Sequence, residues 1–389
     1  MKVNGIPHRT IWLAADGCSV EVIDQTALPH RFVTIQLQTL GDAVRTIKTM
    51  IVRGAPLIGA TAAYGMALAM AADPSDLMLE EAHGCLLAAR PTAVNLRWAL
   101  DEMAAALQPI APAQRKYAAY ERAAAICDED VAINRAIGEH GLALIREIAA
   151  KKTPDTPINI MTHCNAGWLA TVDWGTALAP VYFAHDAGMP IHVWVSETRP
   201  RNQGASLTAW ELGQHGVAHT VIVDNAAGHL LRNGDVDVVI VGSDRTAANG
   251  DVCNKIGTYL KALAAKDNDV PFYVASPGPT IDWTLTDGKK IPIEERSGIE
   301  VSHIAGQNKH HGVSTVMLTP QGSAVANPGF DVTPAHLVTG LITERGVCAS
   351  SKEGLLGLYP ERVAVAVSAK QALLSLQNPT RRRRTKGLG

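Results

Sequence analysis

A thiol, a carboxylate, an amide and several cations stand directly after short apolar runs in the second half of the chain. Ile158–Thr162 leads into His163, Cys164 and Asn165-Ala166-Gly167. Ile191–Ser196 leads into Glu197-Thr198-Arg199-Pro200-Arg201-Asn202-Gln203-Gly204, and Val236–Val241 into Gly242-Ser243-Asp244-Arg245. If such runs are strands of a parallel sheet, their carboxyl ends share one edge, where open α/β sheets bind ligands. The glycine after Cys164 lets backbone amides approach a ligand, and nearby amides depress a thiol pKa, as a reactive cysteine requires. The competing role is a buried, inert cysteine. His163 is adjacent, but successive strand residues face opposite ways, so no Cys–His couple is expected. Asp244 ends an apolar strand, where partial loss of water suits a proton donor. Its competing role is capping, or pairing with Arg245. Glu197 and Arg199 are close enough in sequence to pair with each other.

Three further places suit an anion. Asn254-Lys255 is read as the opening of a helix, where a lysine and free amides meet. Arg53-Gly54-Ala55-Pro56 puts an arginine before a tight turn and a proline-started helix. Arg90-Pro91-Thr92-Ala93-Val94-Asn95 repeats that form, with Thr92 resembling an N-cap. The chain lacks both G-x-x-x-x-G-K-[ST] and G-x-G-x-x-G after a strand, which disfavours a P-loop nucleotide or a dinucleotide. No His, Cys or carboxylate cluster has metal-ligand spacing, so no metal is expected.

These residues need a frame. The 389 residues allow two domains, and 47% hydrophobic content fills a sizeable core. With 35 basic against 37 acidic residues there is no general field for nucleic acid or anionic membrane. Six scattered cysteines without a C-x-x-C pair fit a reduced, cytoplasmic protein. The first residues lack the apolar run of a signal peptide. Leu57–Ala72 is rich in Gly and Ala and reads as a buried helix rather than a membrane span.

The first half reads as short strands around Asp16-Gly17, then helices: about 41–50, one from Pro56, one after the N-cap Ser75, Val94–Leu107, and a long helix or pair from Pro112 to Ala150. Lys151 to Pro157 breaks the periodicity. The expected division is a mainly helical region over 1–150 and a doubly wound parallel α/β sheet over 151–355. An extension over 356–389, expected to be partly disordered, ends in Arg381-Arg382-Arg383-Arg384-Thr385-Lys386, a solvated tail.

Taken in order, these strings resemble the methylthioribose-1-phosphate isomerases, a family sharing its fold with regulatory subunits of the translation-initiation guanine-nucleotide exchange factor. The resemblance adds Ile291-Pro292-Ile293-Glu294-Glu295-Arg296, Asn327-Pro328 and Phe330-Asp331-Val332-Thr333-Pro334, and covers about Ile11 to Val347. It implies Cys164 and Asp244 as catalytic pair, and Arg53, Gly54, Ala55, Arg90, Gln203, Asn254 and Lys255 as substrate contacts. It also implies a small helical domain beside a Rossmann-like one, usually a homodimer, a phosphorylated sugar as substrate and no cofactor. Isomerases of 5-deoxyribose 1-phosphate or ribose 1,5-bisphosphate share much of this pattern, and a non-catalytic binding subunit shares the fold. Two segments depart from the family. Gly167 to Gly175 carries bulkier residues than usual, which would reshape the rim of the site, and the polar stretch His303 to Gly312 has no evident role.

Overall fold

The computed structural model describes residues 1–363, so the arginine-rich run at 381–384 lies outside the described residues. Seven strands form the main sheet in the order Gly346–Cys348, Gly340–Thr343, Phe272–Ala275, Val238–Val241, Ile158–Thr162, Ile191–Ser196 and His219–Ile222. All neighbours run parallel except the edge strand Gly346–Cys348. The chain starts in the middle at Ile158–Thr162, winds outward through two strands, then returns to Val238–Val241 and winds the other way. That is the doubly wound arrangement the alternation of apolar runs and helices implied.

Side chains alternate across the sheet as a pleat requires. Ile158, Ile160, Val238 and Ile240 enter one core. Met161, Val239, Val241 and Val274 enter the core on the opposite face. A third core belongs to the helices of the first half. At its centre lies Ala55–Ala72, whose Ala-rich surface lets neighbours approach on every side; fifteen of its eighteen residues are buried. Among the described residues this is the one helix long and apolar enough to span a membrane, and 83% of it is buried in protein.

The stretch from Pro112 is one helix of 38 residues, Pro112–Ala149, and not a pair. Its early residues Ala119, Ala123 and Ile126 join the helical core. Ile137, Leu142 and Ile145 join the sheet core. At about 1.5 Å per residue, one rigid rod thus ties the helices to the sheet over both halves of its length.

Local signals behave as their chemistry dictates. Ser75 caps Asp76–Ala89 by accepting from the Met78 amide at 3.2 Å. Thr39 and Asp42 form a reciprocal capping box on Leu40–Lys48. Thr92 does not cap Val94–Leu107; the N-cap is Ala93, without a side-chain bond. His303–Gln307 and Val313–Met317 form an antiparallel hairpin with Lys309-His310-His311 at its tip. Beyond residue 355 the chain still packs, and Tyr359 donates its hydroxyl to Glu344 at 2.9 Å.

A second, four-stranded sheet decides the site. It pairs Ile281–Asp282, Arg245–Ala247, Val252–Lys255 and Phe330–Thr333 in that order. Asn254 and Lys255 therefore end a strand, facing Asp331 and Phe330 across the ladder, and do not open a helix. The next helix, Thr258–Asp267, begins after Gly257. Its first amides are taken by the Asp331 carboxylate, at 2.7 Å from Gly257 and 3.1 Å from Tyr259. The sequence expectation of a helix-start anion site here fails because the protein supplies its own anion.

Candidate active site

The winding of the main sheet reverses between Ile158–Thr162 and Val238–Val241, and the loops leaving these two strands diverge to opposite sides. A crevice must open at such a switch point. Cys164 lies two residues beyond the first strand and Asp244 three beyond the second.

Cys164 sits in the left-handed region, with φ 64°. A non-glycine residue holds that conformation only when its neighbours over-determine it. Its amide donates to Thr198 Oγ1 at 2.8 Å, and its carbonyl accepts from Thr208 Oγ1 at 2.7 Å. Thr198 is itself left-handed, φ 67°, and its amide is tied to Asp224 at 2.8 Å. The loop after the neighbouring strand thus clamps the cysteine from behind. Arg199 does not pair with Glu197; its guanidinium donates to the carbonyls of Pro200 and Val301, at 2.7 and 2.8 Å. Arg245 pairs with Asp282 at 3.2 Å. Among the described residues the Asp244 carboxylate has no side-chain hydrogen bond or ion pair.

Cys164 and Asp244 line one hollow of about 590 Å³ of atom-free space, open solvent at its mouth included. Arg53, Gly54, Ala55, Arg90, Gln203, Asn254 and Lys255 line it as well, so all nine expected residues converge. Gly54 has φ 89°, and a Cβ there would lie 2.4 Å from Ala170 Cα; only glycine lets this turn close on the 168–170 segment. That approach delivers Arg53, whose guanidinium forks onto the side-chain oxygen and the carbonyl of Asn165, the latter at 2.7 Å. Arg90 is paired with Glu294 at 3.2 Å. Lys255 donates to the Gly329 carbonyl at 2.9 Å and lies 4.4 Å from the centre of the Phe330 ring. Burial lowers its pKa from the usual lysine value. Gln203 precedes a π-turn, Gly204–Thr208, and its buried amide oxygen has no donor among the described residues. An unmet acceptor facing a polar hollow suits a ligand hydroxyl.

The expectation of a depressed thiol pKa is overturned. Burial pushes the Cys164 thiol up; Arg53 and Lys255 pull it down, and Asp244 adds to the rise. The cysteine therefore rests as a thiol, because loss of water outweighs nearby cations and amides. His163 is buried and forms no couple with it: its Nε2 meets the Ile256 carbonyl at 2.8 Å, and burial lowers its pKa to about 3. The bulky segment after Gly167 lies mostly behind the hollow. Trp168 and Leu169 are fully buried in the sheet core, and only Ala170 of that turn reaches the hollow.

The sequence model of the Initiation factor 2 subunit family matches residues 51–350, which hold all nine site residues. A methylthioribose-1-phosphate isomerase of Rhodospirillum rubrum is 64% identical over 377 residues, covering 96% of this chain and 97% of that one. The chain belongs to this isomerase family. Another member, from Paramagnetospirillum magneticum, is 68% identical over 93% of the chain and 100% of its own length. Among solved structures, 5-methylthioribose 1-phosphate isomerase of Pyrococcus horikoshii superposes with TM-score 0.77 at 38% identity, covering 91% of this chain and 96% of that one. The protein described as translation initiation factor eIF-2B, subunit delta, from A. fulgidus gives 0.75, also at 38%, over 90% and 99%.

Within this family fold, sequence reasoning missed the residue that holds the site together from below. Glu211 is fully buried in Ala209–His215. It accepts from Asn165 Nδ2 at 3.0 Å and from the Leu169 amide at 3.1 Å. Asn165 in turn receives Arg53, so the carboxyl anchors the fork behind the hollow. Gly167 passes so close that a Cβ there would fall 1.4 Å from Glu211 Oε1. A glutamate in a helical stretch reads as exposed, and only the cramped Ala166-Gly167 after the catalytic-type loop hinted at a neighbour.

Burial pushes the Glu211 carboxyl up to about 8, against an ordinary 4.5. The sign follows from linkage. The folded state holds a proton that the unfolded state has lost between those two values, so stability falls as pH rises from about 4.5 to 8. Glu211→Gln removes this slope. Denaturant unfolding at pH 5 and pH 8 should show the variant gaining on the parent with rising pH, by at most on the order of 5 kcal/mol. Parallel curves for the two proteins would show that Glu211 is ionised in the fold throughout.

Proposed function

We propose that this chain isomerises 5-methylthioribose 1-phosphate to 5-methylthioribulose 1-phosphate, the step that family relatives of 61–68% identity are named for. The observation that carries the reading is the convergence of Cys164 and Asp244, from the two strands flanking the switch point, on one hollow ringed by Arg53, Arg90 and Lys255. The anomeric oxygen of such a substrate carries the phosphate, so the ring cannot open by itself to a free aldehyde. An acid must protonate the ring oxygen, and Asp244 takes that role. Among the described residues its carboxyl group has no side-chain partner, as a group that must reach substrate requires.

Cys164 acts at the C1–C2 side. As C1 loses its bond to the ring oxygen, one hydrogen moves from C2 to C1 and the 2-hydroxyl gives up its proton as the ketone forms. A proton enters at the ring oxygen and one leaves the 2-hydroxyl, so no outside reagent is consumed. The three cations and the turn at Gly54-Ala55 hold the phosphate. Gln203, with its unmet oxygen, and Asn254 hold sugar hydroxyls. The reaction is placed in the cytoplasm, with the protein as a homodimer; all six cysteines are free, and exposed Val313, Val316, Met317 and Leu318 on the hairpin suit a covered face.

Incubating the purified chain with 5-methylthioribose 1-phosphate tests the reading. The C1 signals should convert to those of a ketose 1-phosphate in a ¹³C spectrum, without added metal or nucleotide. An unchanged spectrum at micromolar protein would refute it.

A further inference from the structure

Neither Glu294-Glu295-Arg296 nor Asn327-Pro328 lines the hollow that holds Cys164, yet the two segments lie side by side next to its cations. The Arg296 amide donates to the Asn327 carbonyl at 2.9 Å, and the Gly329 amide to the Glu294 carbonyl at 2.8 Å. The Asn327 amide donates to the Glu295 carboxylate at 2.6 Å. This short ladder fixes the Gly329 carbonyl, which accepts from Lys255 Nζ at 2.9 Å.

The Arg296 guanidinium uses all three of its nitrogens. Nε and Nη2 fork onto the Glu300 carboxylate at 2.9 and 2.6 Å, and Nη1 donates to Glu294 Oε1 at 2.8 Å. Nη2 also reaches Met50 Sδ, a weak acceptor, at 3.1 Å. Met50 is buried on a left-handed turn, φ 61°, just before Arg53. The second oxygen of Glu294 accepts from Arg90 Nη2 at 3.2 Å, the one hydrogen bond of that side chain among the described residues. A charged pair usually closes to about 2.7–2.9 Å, so Glu294 is held tightly by Arg296 and holds Arg90 loosely. Most of the Arg90 guanidinium is left for a ligand. Burial would raise the Glu300 carboxyl, but bonds from Arg296, Arg201 and Asn327 hold it down at about 2, so the anchor of the fork stays charged.

We infer that Arg296 is the positioning residue of the phosphate cradle. It sets Arg53 through Met50, Arg90 through Glu294 and Lys255 through the Gly329 carbonyl, and it does not line the hollow itself. The inference rests on the isomerase reading above and adds the residue that ties cations of the first half of the chain to the half carrying Cys164 and Asp244. Arg53, Arg90 and Lys255 carry like charges around one hollow and repel one another. A carboxylate among them would hold them but would also compete with the phosphate. Glu294 holds Arg90 from outside the hollow, with Arg296 on its other oxygen.

Arg296→Lys tests this, because one ammonium keeps the charge but cannot fork onto Glu300 while meeting Glu294. The phosphate stays on the same oxygen from substrate to product, so its contacts are alike in ground and transition states. KM for 5-methylthioribose 1-phosphate should rise roughly ten- to hundred-fold, with kcat within about three-fold. The inhibition constant of inorganic phosphate should rise by the same factor. A merely structural role would lower the folded, active fraction, which reduces kcat and moves neither KM nor the phosphate constant. Glu294→Gln loosens Arg90 alone, should raise both constants by less, and serves if the first variant does not fold. Folded variants with unchanged KM and phosphate constant would overturn the inference, as would a fall in kcat at constant KM. A parent protein without turnover would overturn the isomerase reading instead. Calorimetric binding of inorganic phosphate to the parent and the two variants would then still decide the role of Arg296.

Discussion

Asp244→Asn is expected to keep the fold and lose about three orders of magnitude in kcat. A positioned proton donor contributes roughly 10²–10⁴ in rate, and an amide can hydrogen-bond to the ring oxygen but cannot protonate it. The substitution is close to isosteric, and the carboxylate makes no side-chain bond within the described protein that its loss would break. The backbone bond from Asp244 to the Cys253 carbonyl, 3.0 Å, does not depend on the side chain. KM should stay within about three-fold, because phosphate and hydroxyl contacts come from other residues. Steady-state kinetics beside a thermal unfolding curve separate the two effects. A folded variant with a tenth or more of the parental kcat would remove Asp244 from the chemistry.

Why the sequence revealed this pair, and not the web behind it, has a physical basis. Ile158–Thr162, Ile191–Ser196 and Phe272–Ala275 match their strands because buried parallel strands are short apolar runs with polar ends. Residues just past such runs must lie at the sheet edge, so Cys164 and Asp244 could be placed from one-dimensional information. Arg53 and Gly54 were legible for a similar reason: glycine followed by proline is a turn into a helix. Asn254 and Lys255 were misplaced because Val252–Lys255 is too short and mixed to announce a strand. Its identity comes from pairing with Phe330–Thr333, some 75 residues on, and with Arg245–Ala247.

The clamp behind the cysteine was equally hidden. Thr198 and Asp224 carry no local signature, and their roles arise only when two neighbouring strands bring their loops together. Glu211 ran against its own propensity, since glutamate is rarely buried without partners, and the partners lie some forty residues away. The thiol pKa erred for the same reason. Local amides and cations are visible in sequence, whereas the depth of burial that outweighs them is a property of the assembled fold.

That depth yields the second large effect. Cys164→Ser should lower kcat by roughly a hundred- to ten-thousand-fold while preserving the left-handed turn, because the bonds to Thr198 and Thr208 use only its backbone. The raised thiol also fixes the shape of the pH profile. With its pKa above the ordinary 9.0, the thiolate is a small fraction near neutrality and grows about ten-fold per pH unit until the thiol itself titrates. If the thiolate takes up the proton at the C1–C2 side, log kcat/KM must rise with unit slope on the alkaline side of neutrality. The limb must vanish in Cys164→Ser, whose hydroxyl ionises far higher. Glu211, held near 8, titrates in the same window and could imitate the limb through Arg53. Glu211→Gln separates the two: the slope survives there if it belongs to the thiol and disappears if it belongs to the buried carboxyl. A flat profile in the parent would exclude Cys164 as the base, leaving it the part of a fixed thiol donor.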